Sequence, residues 1–414
     1  MASLEGSLDA WNMFRILWWA FFGLVAALEL YRNRQLLPAF FQTIQPLAIM
    51  LVVWLGAVFL STMQSPAPLF TFGNAAMMLI LVLASLDLAL KLQHGVIEVE
   101  RVLKLLFAFS LMLLCLLFLV LLVRPDLVGA GPGIVGSRVR GTVAQVDLLA
   151  VMVFYLALHF LIATRGWSRA GYGLTAAASF ALLLLAQSRW AYIAWILAGI
   201  VFYWQWMLVS RYRLRALALG LTCIAASMAL ATLLLVDVSR TTPTAFTNAA
   251  AYLVRQPETL ANASGRDLIS IVVLNAVRDN PFGLGYLAGP RVLILNSREE
   301  LDPHGVISAR IGNAHNAYLE MLAGTGVVGA IGWLAIWGTI AVALWRHTHK
   351  REFIVVRALL VILILNGLIA SEAAYPANQA SALLWLIIAI TIGTMHQNGP
   401  VRASSSQLLP PTGR

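Results

Sequence analysis

Apolar runs long enough to cross a membrane recur along the chain, and this feature limits the fold more than any other. A helix needs about 20 mostly apolar residues to cross the hydrocarbon core of a bilayer. The ten-residue alternation of a membrane barrel is not seen. The sequence therefore predicts an all-α polytopic membrane protein with about 11 to 12 transmembrane helices. The runs lie at residues 13–30, 38–60, 69–90, 102–123, 143–164, 172–187, 190–209, 216–236, 326–345, 353–371 and 379–395.

Composition supports this prediction. Hydrophobic residues make up 60% of the 414 residues and charged residues only 11%, and the mean hydropathy is +0.83. So few charges cannot cover a soluble surface. Both cysteines, Cys115 and Cys223, lie within apolar runs and do not suggest a disulfide or metal framework.

The distribution of basic residues predicts the orientation. Lysine and arginine concentrate in alternate loops, and the three lysines Lys91, Lys104 and Lys350 all lie in loops of this set. Cytoplasmic loops of membrane proteins carry such an excess. We therefore expect these basic loops in the cytoplasm and the long loop at residues 237–325 on the outer side of the membrane. If eleven spans are present, the N-terminus also lies outside. Because the net charge of +10 mainly reflects topology, nucleic-acid binding is not expected.

This topology divides the chain into four parts. They are N-terminal transmembrane helices at 1–236, an external loop at 237–325, C-terminal transmembrane helices at 326–398, and a cytoplasmic tail at 399–414. The external loop is far longer than any other connection, and long loops in compact proteins are usually functional. It contains seven arginines, Arg291 among them, and no lysine. Guanidinium groups pair well with phosphate oxygens, so this bias suits a diphosphate ligand.

Two arginines next to helix starts are candidates for binding such a ligand. Ser264 and Asp267 have the spacing of a capping box, which would put Arg266 in the first turn of a helix ending at Asn280 and Pro281. Arg266 could instead pair locally with an acid. Arg189 lies in a very short link between two apolar runs; it could bind a diphosphate or extend towards lipid head groups.

A third arginine, Arg138, lies in the glycine-rich external loop at 124–142. Such a backbone could approach an anion, but it lacks the spacing of a nucleotide-binding loop. Asp87 lies inside an apolar run, where an ionisable residue is either functional or, as we favour here, paired with Lys91 one turn later. The charged run at 298–304 could hold a cation, yet no Asp-x-Asp pair occurs and a solvated surface is favoured. No metal and no cofactor are expected.

The segment at 312–332 combines a polar helix start with a membrane span. Asn313 is a good N-cap residue, and Gly324 is a good helix stop before the span that begins at 326. His315 would then lie in the first helical turn, where the helix dipole favours the neutral imidazole. A neutral imidazole can accept a proton or orient a hydroxyl, although a single histidine can equally be structural.

The order of these motifs resembles the O-antigen ligase and polymerase family. The resemblance rests on Ser188-Arg189 between two middle spans, Ser264-Gly265-Arg266 in one long external loop, and Pro281-x-Gly283-x-Gly285. It continues with His315-Asn316-x-x-Leu319 and the glycines at 324, 326 and 329, and it covers most of the chain from about 140 onward.

This resemblance implies an inverting glycosyltransferase in the bacterial inner membrane with its active site facing the periplasm. The donor would be O-antigen on undecaprenyl diphosphate, and the acceptor of a ligase would be lipid A-core. Arg189 and Arg266 would bind the diphosphate and His315 would act on the acceptor hydroxyl, with Asn316, Arg138 and Arg291 as further substrate-binding candidates. A polymerase, a protein O-oligosaccharyltransferase, and a flippase of lipid-linked sugars remain alternatives.

Overall fold

The computed structural model describes residues 10–123, 145–186, 188–209, 266–301, 312, 314–347, 350–376 and 378–395. Within these ranges the regular structure is helical, with no strand. The helices are α1 (Ala10–Arg32), α2 (Leu37–Thr43), α3 (Gln45–Leu60), α4 (Pro68–Gln93), α5 (Val99–Val123), α6 (Val146–Ala163), α7 (Trp167–Ala186), α8 (Arg189–Val209), α9 (Arg266–Asp279), α10 (Ala288–Asn296), α11 (Arg298–Leu301), α12 (Ala317–His347), α13 (Glu352–Ile369) and α14 (Gln379–Thr394).

The predicted membrane architecture is confirmed. In the described part of the chain, 8 helices are long and apolar enough to span a membrane, and α14 is a shorter apolar helix. Large apolar side chains such as Leu69 and Trp167 lie exposed on their surfaces, as lipid-facing positions require. Proline occupies one of the first two positions of α2, α3 and α4, where its missing N–H costs no hydrogen bond. The predicted span at 216–236 lies outside the described residues.

Two predicted spans differ in detail. The run at 38–60 is divided between α2 and α3 at Ile44, so that its membrane-crossing part begins at Gln45. The run at 326–345 belongs to the longer helix α12, which begins at Ala317 and carries a break at Gly326. The break coincides with the predicted start of the span at residue 326. The helix nevertheless continues across it from the turns at 317–325.

Contacts between helices fix which ends of the bundle lie together. At one end, buried Arg357 of α13 donates through Nε to the Leu344 carbonyl of α12 at 2.9 Å and through Nη1 to Gln205 of α8. Gln205 and Leu344 lie near the ends of their helices and Arg357 near the start of α13. The starts of α8 and α12 and the end of α13 therefore lie together at the other end, which we call the site end.

The start of α6 also lies at the site end, because Asp147 in its first turn accepts hydrogen bonds from Ser188 and Trp190 at the start of α8. Phe107 in the first half of α5 contacts Phe160 near the end of α6, with ring centroids 5.4 Å apart, so these two helices are antiparallel. The main core is formed where α12 packs on α3, α14 on α4, and α13 on both α6 and α8.

A second, smaller core lies beside the first turns of α12. Ile269, Val273 and Val277 of α9 pack with Ile294 of α10 and Ala323 of α12. The buried side chains of α9 recur every four residues, so one stripe of the helix faces this core. The helices of the long loop are thereby fixed onto α12.

Asp87 lies towards the opposite end of the bundle. Its Oδ2 accepts a 2.8 Å bond from Lys91 Nζ, which also lies 3.2 Å from Glu29 Oε2. The pairing interpretation of Asp87 is confirmed. A cavity of about 370 Å³ beside this triad is lined partly by Arg32, Lys91 and His94, far from the predicted site residues that are described below.

Candidate active site at one end of the bundle

A tight turn at residues 281–285 fills the break in α12. The amide of Leu284 donates to the Ala323 carbonyl at 2.8 Å, and that of Gly285 donates to the Gly324 carbonyl at 3.0 Å. In return, the amide of Val327 donates to the Pro281 carbonyl at 2.9 Å. Backbone groups that the break would leave unpaired are thus satisfied by the turn. The predicted turn and helix stop form one unit.

Glycine is required on both sides of this contact. Gly326 has φ 70° and ψ −173°, a conformation that is essentially restricted to glycine. A Cβ at Gly326 would meet the Pro281 oxygen, and a Cβ at Gly283 would lie 2.5 Å from the Gly326 nitrogen. The two backbones pack too closely for any side chain.

Tyr286 connects this turn to distant parts of the chain. Its amide donates to Ser61 Oγ at 3.0 Å, and its carbonyl accepts from Thr71 Oγ1 at 3.2 Å. Its hydroxyl donates to the Ala374 carbonyl between α13 and α14. Complete burial raises the pKa of Tyr286 well above its usual value, so the phenol stays protonated as a donor. The turn is held from three directions.

His315 lies two residues before α12 and has φ 49°. The prediction that it sits in the first helical turn after an Asn313 cap is wrong. The N-cap is Asn316, whose Oδ1 accepts from the amides of Tyr318 at 2.9 Å and Leu319 at 3.1 Å. Asn313 itself lies outside the described residues. Capping therefore occupies the side-chain oxygen of Asn316.

The backbone around His315 is held by hydrogen bonds from two other segments. Ala314 donates its amide to Glu320 Oε2 at 3.1 Å, and Asn316 donates to Ser371 Oγ at 3.1 Å. The amide of Ala317 donates to the Ala370 carbonyl at 3.1 Å. A positive φ in a non-glycine residue persists only where the surroundings impose it. These bonds supply that restraint and leave the half-buried imidazole at the surface of the site end.

Glu320 is a residue that the sequence interpretation missed. It is fully buried, and besides the Ala314 amide its carboxylate accepts the Tyr375 hydroxyl at 2.8 Å. Burial, followed by the nearby Glu320 carboxylate, raises the pKa of Tyr375, which remains a donor. A buried carboxylate is costly unless it is hydrogen-bonded. The two hydrogen bonds offset this cost, and through them Glu320 ties the segment before α12 to Tyr375. An acid in an apolar stretch a few residues before the predicted span at 326–345 was the feature of the sequence that could have identified Glu320.

Arg291, on α10, comes close to this cluster. Its Cγ lies 2.9 Å from where a Cβ on Gly312 would be, so it packs on the segment leading to His315. Its charge acts on Tyr375, whose pKa it lowers against the dominant effect of burial. Its Nε is buried without a hydrogen-bond partner among the described residues. Because this Nε is buried, binding of an oxygen-rich ligand by Arg291 would fall to the terminal nitrogens of its guanidinium.

Arg189 begins α8 at the site end. Its neighbours Ser188 and Trp190 donate from Oγ and Nε1 to Oδ2 of Asp147, at 2.8 and 2.7 Å. Trp190 therefore points to a buried acid rather than serving only as an interfacial residue. Asp147 is the second carboxylate that the sequence interpretation missed, although it lies in the first turn of an apolar run. The side chain of Arg189 lies outside the described residues.

Arg266 begins α9, the helix predicted to end at Asn280. The predicted cap Ser264 and the side chain of Arg266 lie outside the described residues, as does the whole of Arg138. Among the residues that are described, the site end brings His315, Asn316 and Arg291 together and adds Glu320. This arrangement offers an imidazole just before a membrane helix and a cationic residue packed on Gly312, three residues earlier in the chain. Such groups suit transfer chemistry on an anionic substrate.

One of two comparisons with known proteins gives a match. A family model described as O-antigen ligase matches residues 174–334, while no match was found among curated proteins. The matched region begins in α7 and ends in α12, so it contains Arg189, Arg266, Arg291, His315 and Asn316 but not Arg138 or Asp147. The resemblance noted from the motifs is thereby confirmed over the region that carries them. The chain is therefore similar to the O-antigen ligase family over residues 174–334, which are less than half of its length.

Proposed function

We propose that this protein is an O-antigen ligase that transfers O-antigen from undecaprenyl diphosphate to lipid A-core at the periplasmic face of the bacterial inner membrane. The observation that carries the proposal is the fixed His315 segment, held by Glu320 and Ser371 beside Arg291. Enzymes hold reacting groups in place by hydrogen bonds of this kind to the surrounding residues. The match to the O-antigen ligase family model over residues 174–334 supports lipid-linked sugar chemistry.

The reaction needs one bond made and one broken. The acceptor hydroxyl oxygen attacks the anomeric carbon of the first donor sugar, and a new C–O bond forms. The bond from that carbon to the diphosphate oxygen breaks, and its electron pair leaves with undecaprenyl diphosphate. The hydroxyl proton passes to a ring nitrogen of His315. Attack opposite the leaving group inverts the anomeric configuration.

Arginine residues would stabilise the leaving group. Arg189 and Arg266 are the proposed diphosphate-binding residues. Arg291 and Arg138 are proposed to bind other parts of the donor. Guanidinium groups can neutralise the developing diphosphate charge without a metal ion. Asn316 would present its amide nitrogen to a sugar hydroxyl, since its oxygen caps α12. General base catalysis by a histidine typically contributes about a hundredfold or more.

The test is reconstitution of the full-length protein with purified lipid-linked O-antigen and lipid A-core, without added metal and with a chelator. We expect ligated product with inverted configuration. Polymer growth without transfer to the core would instead indicate a polymerase, and transfer to a protein serine an oligosaccharyltransferase. Movement of the lipid carrier across the bilayer without any ligated product would exclude a transferase.

Three substitutions define the roles within that assay. Arg291→Ala should weaken donor binding, while Arg278→Ala, which removes an exposed arginine at the end of α9, should leave both donor binding and transfer unchanged. His315→Ala should reduce turnover by about a hundredfold or more with donor binding retained. Loss of donor binding alone in His315→Ala would contradict the proposed proton transfer.

A further inference from the structure

Asp147 ties two segments of the bundle together at the site end. It lies in the first turn of α6 and is only 7% exposed. Its Oδ1 accepts the Leu148 amide at 3.0 Å, and its Oδ2 accepts both the Ser188 hydroxyl at 2.8 Å and the Trp190 indole N–H at 2.7 Å. One carboxylate oxygen therefore receives two donors from the start of α8.

The two donors are the immediate chain neighbours of Arg189. Ser188 also accepts the Tyr192 amide through its carbonyl at 3.2 Å, as the residue before a helix does. Its hydroxyl is directed to Asp147 instead of capping its own helix. The backbone of Arg189 is consequently held on both sides by the same oxygen, and α8 cannot turn or slide at this point without breaking both bonds.

The energetics favour a specific role for this acid. Burying a carboxylate is costly, and hydrogen bonds to a charged acceptor recover that cost only when the geometry is good. An apolar residue could pack α6 against α8 without such a cost. Asp147 instead fixes one arrangement of α6 and α8 next to Arg189, a proposed donor-binding residue. Its partner Ser188 is 41 residues away along the chain.

We propose that Asp147 is a positioning residue that fixes Arg189 for binding the diphosphate of the lipid-linked donor. This inference rests on the proposed function, in which Arg189 contacts the diphosphate. Asp147 does not touch substrate; it acts through Ser188 and Trp190. The effect of its removal should therefore appear in donor use and should depend on the residue at position 189.

The first experiment measures transfer by the reconstituted full-length protein as a function of donor concentration. Asp147→Ala should lower kcat/KM for the donor by about a hundredfold, because displacement of a binding group by about 1 Å has this effect. Asp147→Asn keeps one oxygen for Ser188 and Trp190 and should retain more activity than the alanine variant. Equal activity of Asp147→Ala and the wild type would overturn the inference.

A double-mutant cycle separates positioning from a purely structural role. If Asp147 acts only through the side chain of Arg189, then Asp147→Ala should change kcat/KM by at most about threefold when it is made in an Arg189→Ala protein, which has no cationic side chain at position 189. Losses of thermal stability need not show this dependence. A full activity loss from Asp147→Ala in both backgrounds would overturn the inference and assign Asp147 to general stability.

Asp87→Asn is the matched control. It neutralises another largely buried aspartate, whose partner is Lys91 in the same helix and which lies away from the site end. It should leave the donor dependence of transfer unchanged even if it lowers stability. Binding of undecaprenyl diphosphate alone gives a second readout, and it should be weakened by Asp147→Ala.

The outcomes distinguish this inference from the proposed function. A wild-type protein that neither transfers the glycan nor binds undecaprenyl diphosphate would refute both. A wild-type protein that transfers normally, with Asp147 variants that match it, would refute the positioning role and leave the proposed function intact.

Discussion

Replacing Gly326 by alanine should test the contact between the 281–285 turn and the break in α12. The residue has φ 70° and ψ −173°, and forcing a side chain into such a conformation costs about 1–3 kcal/mol. The added methyl group would also meet the backbone of Pro281 and Phe282, and overpacking of this kind costs about 1–3 kcal/mol. A less flexible unfolded chain returns about 0.4–1 kcal/mol. We therefore expect a net loss of about 1–6 kcal/mol.

Gly338→Ala provides the control in the same helix. Gly338 has open space around its Cα and no positive φ, so alanine there should stabilise α12 by up to about 1 kcal/mol. Unfolding of the purified protein by denaturant in mixed micelles, followed by tryptophan fluorescence, measures both variants on one scale.

A third variant makes the test sharper. Gly283→Ala places its methyl group against the amide of Gly326, so it should be destabilising on its own. Because both substitutions disrupt one contact, their combination should cost less than the sum of the two. Equal midpoints for Gly326→Ala and Gly338→Ala would refute the close packing of turn and helix.

Further predictions concern the surroundings of His315 and the buried tyrosines. Glu320→Gln leaves one acceptor for the Ala314 amide and the Tyr375 hydroxyl, so the free energy of unfolding should fall by about 1–3 kcal/mol and transfer should decline with it. Asn316→Ala removes the cap of α12 and should cost about 1 kcal/mol, whereas Asn316→Asp should retain most of the stability. Burial raises the pKa of Tyr286 above its unfolded value of 10. The stability linked to its proton is complete below pH 10 and is lost as the pH rises further, by about 1.4 kcal/mol per pH unit. A pH titration of the unfolding midpoint should show this decline, and Tyr286→Phe should reduce its slope.

The membrane helices could be predicted because each carries its own signal. Length and hydropathy are local properties, and the bounds of α4, α8 and α13 follow the predicted runs within a few residues. The end of α9 before Asn280 and the interruption of α12 near Gly324 were also predictable, since proline and glycine act within one turn of the chain.

The conformation of the site could not be predicted in the same way. Asn313 and Asn316 are both good caps, and local preference does not choose between positions three residues apart. In the structure the amides of Asn316 and Ala317, at the start of α12, donate hydrogen bonds to Ser371 Oγ and the Ala370 carbonyl. These acceptors are more than 50 residues away along the chain. Asp147 and Glu320 were missed for the same reason, because the donors that make their burial tolerable come from distant segments.

The attachment of Tyr286 has a consequence for protein engineering. Its partners Ser61, Thr71 and Ala374 come from the first and last parts of the chain. The segment that follows the 281–285 turn is therefore not an independent cassette. A chimera that exchanges only the external loop between two relatives should fail unless the α3–α4 connection and the α13–α14 connection are exchanged with it. The external loop would have to be transplanted together with these two connections, as three pieces.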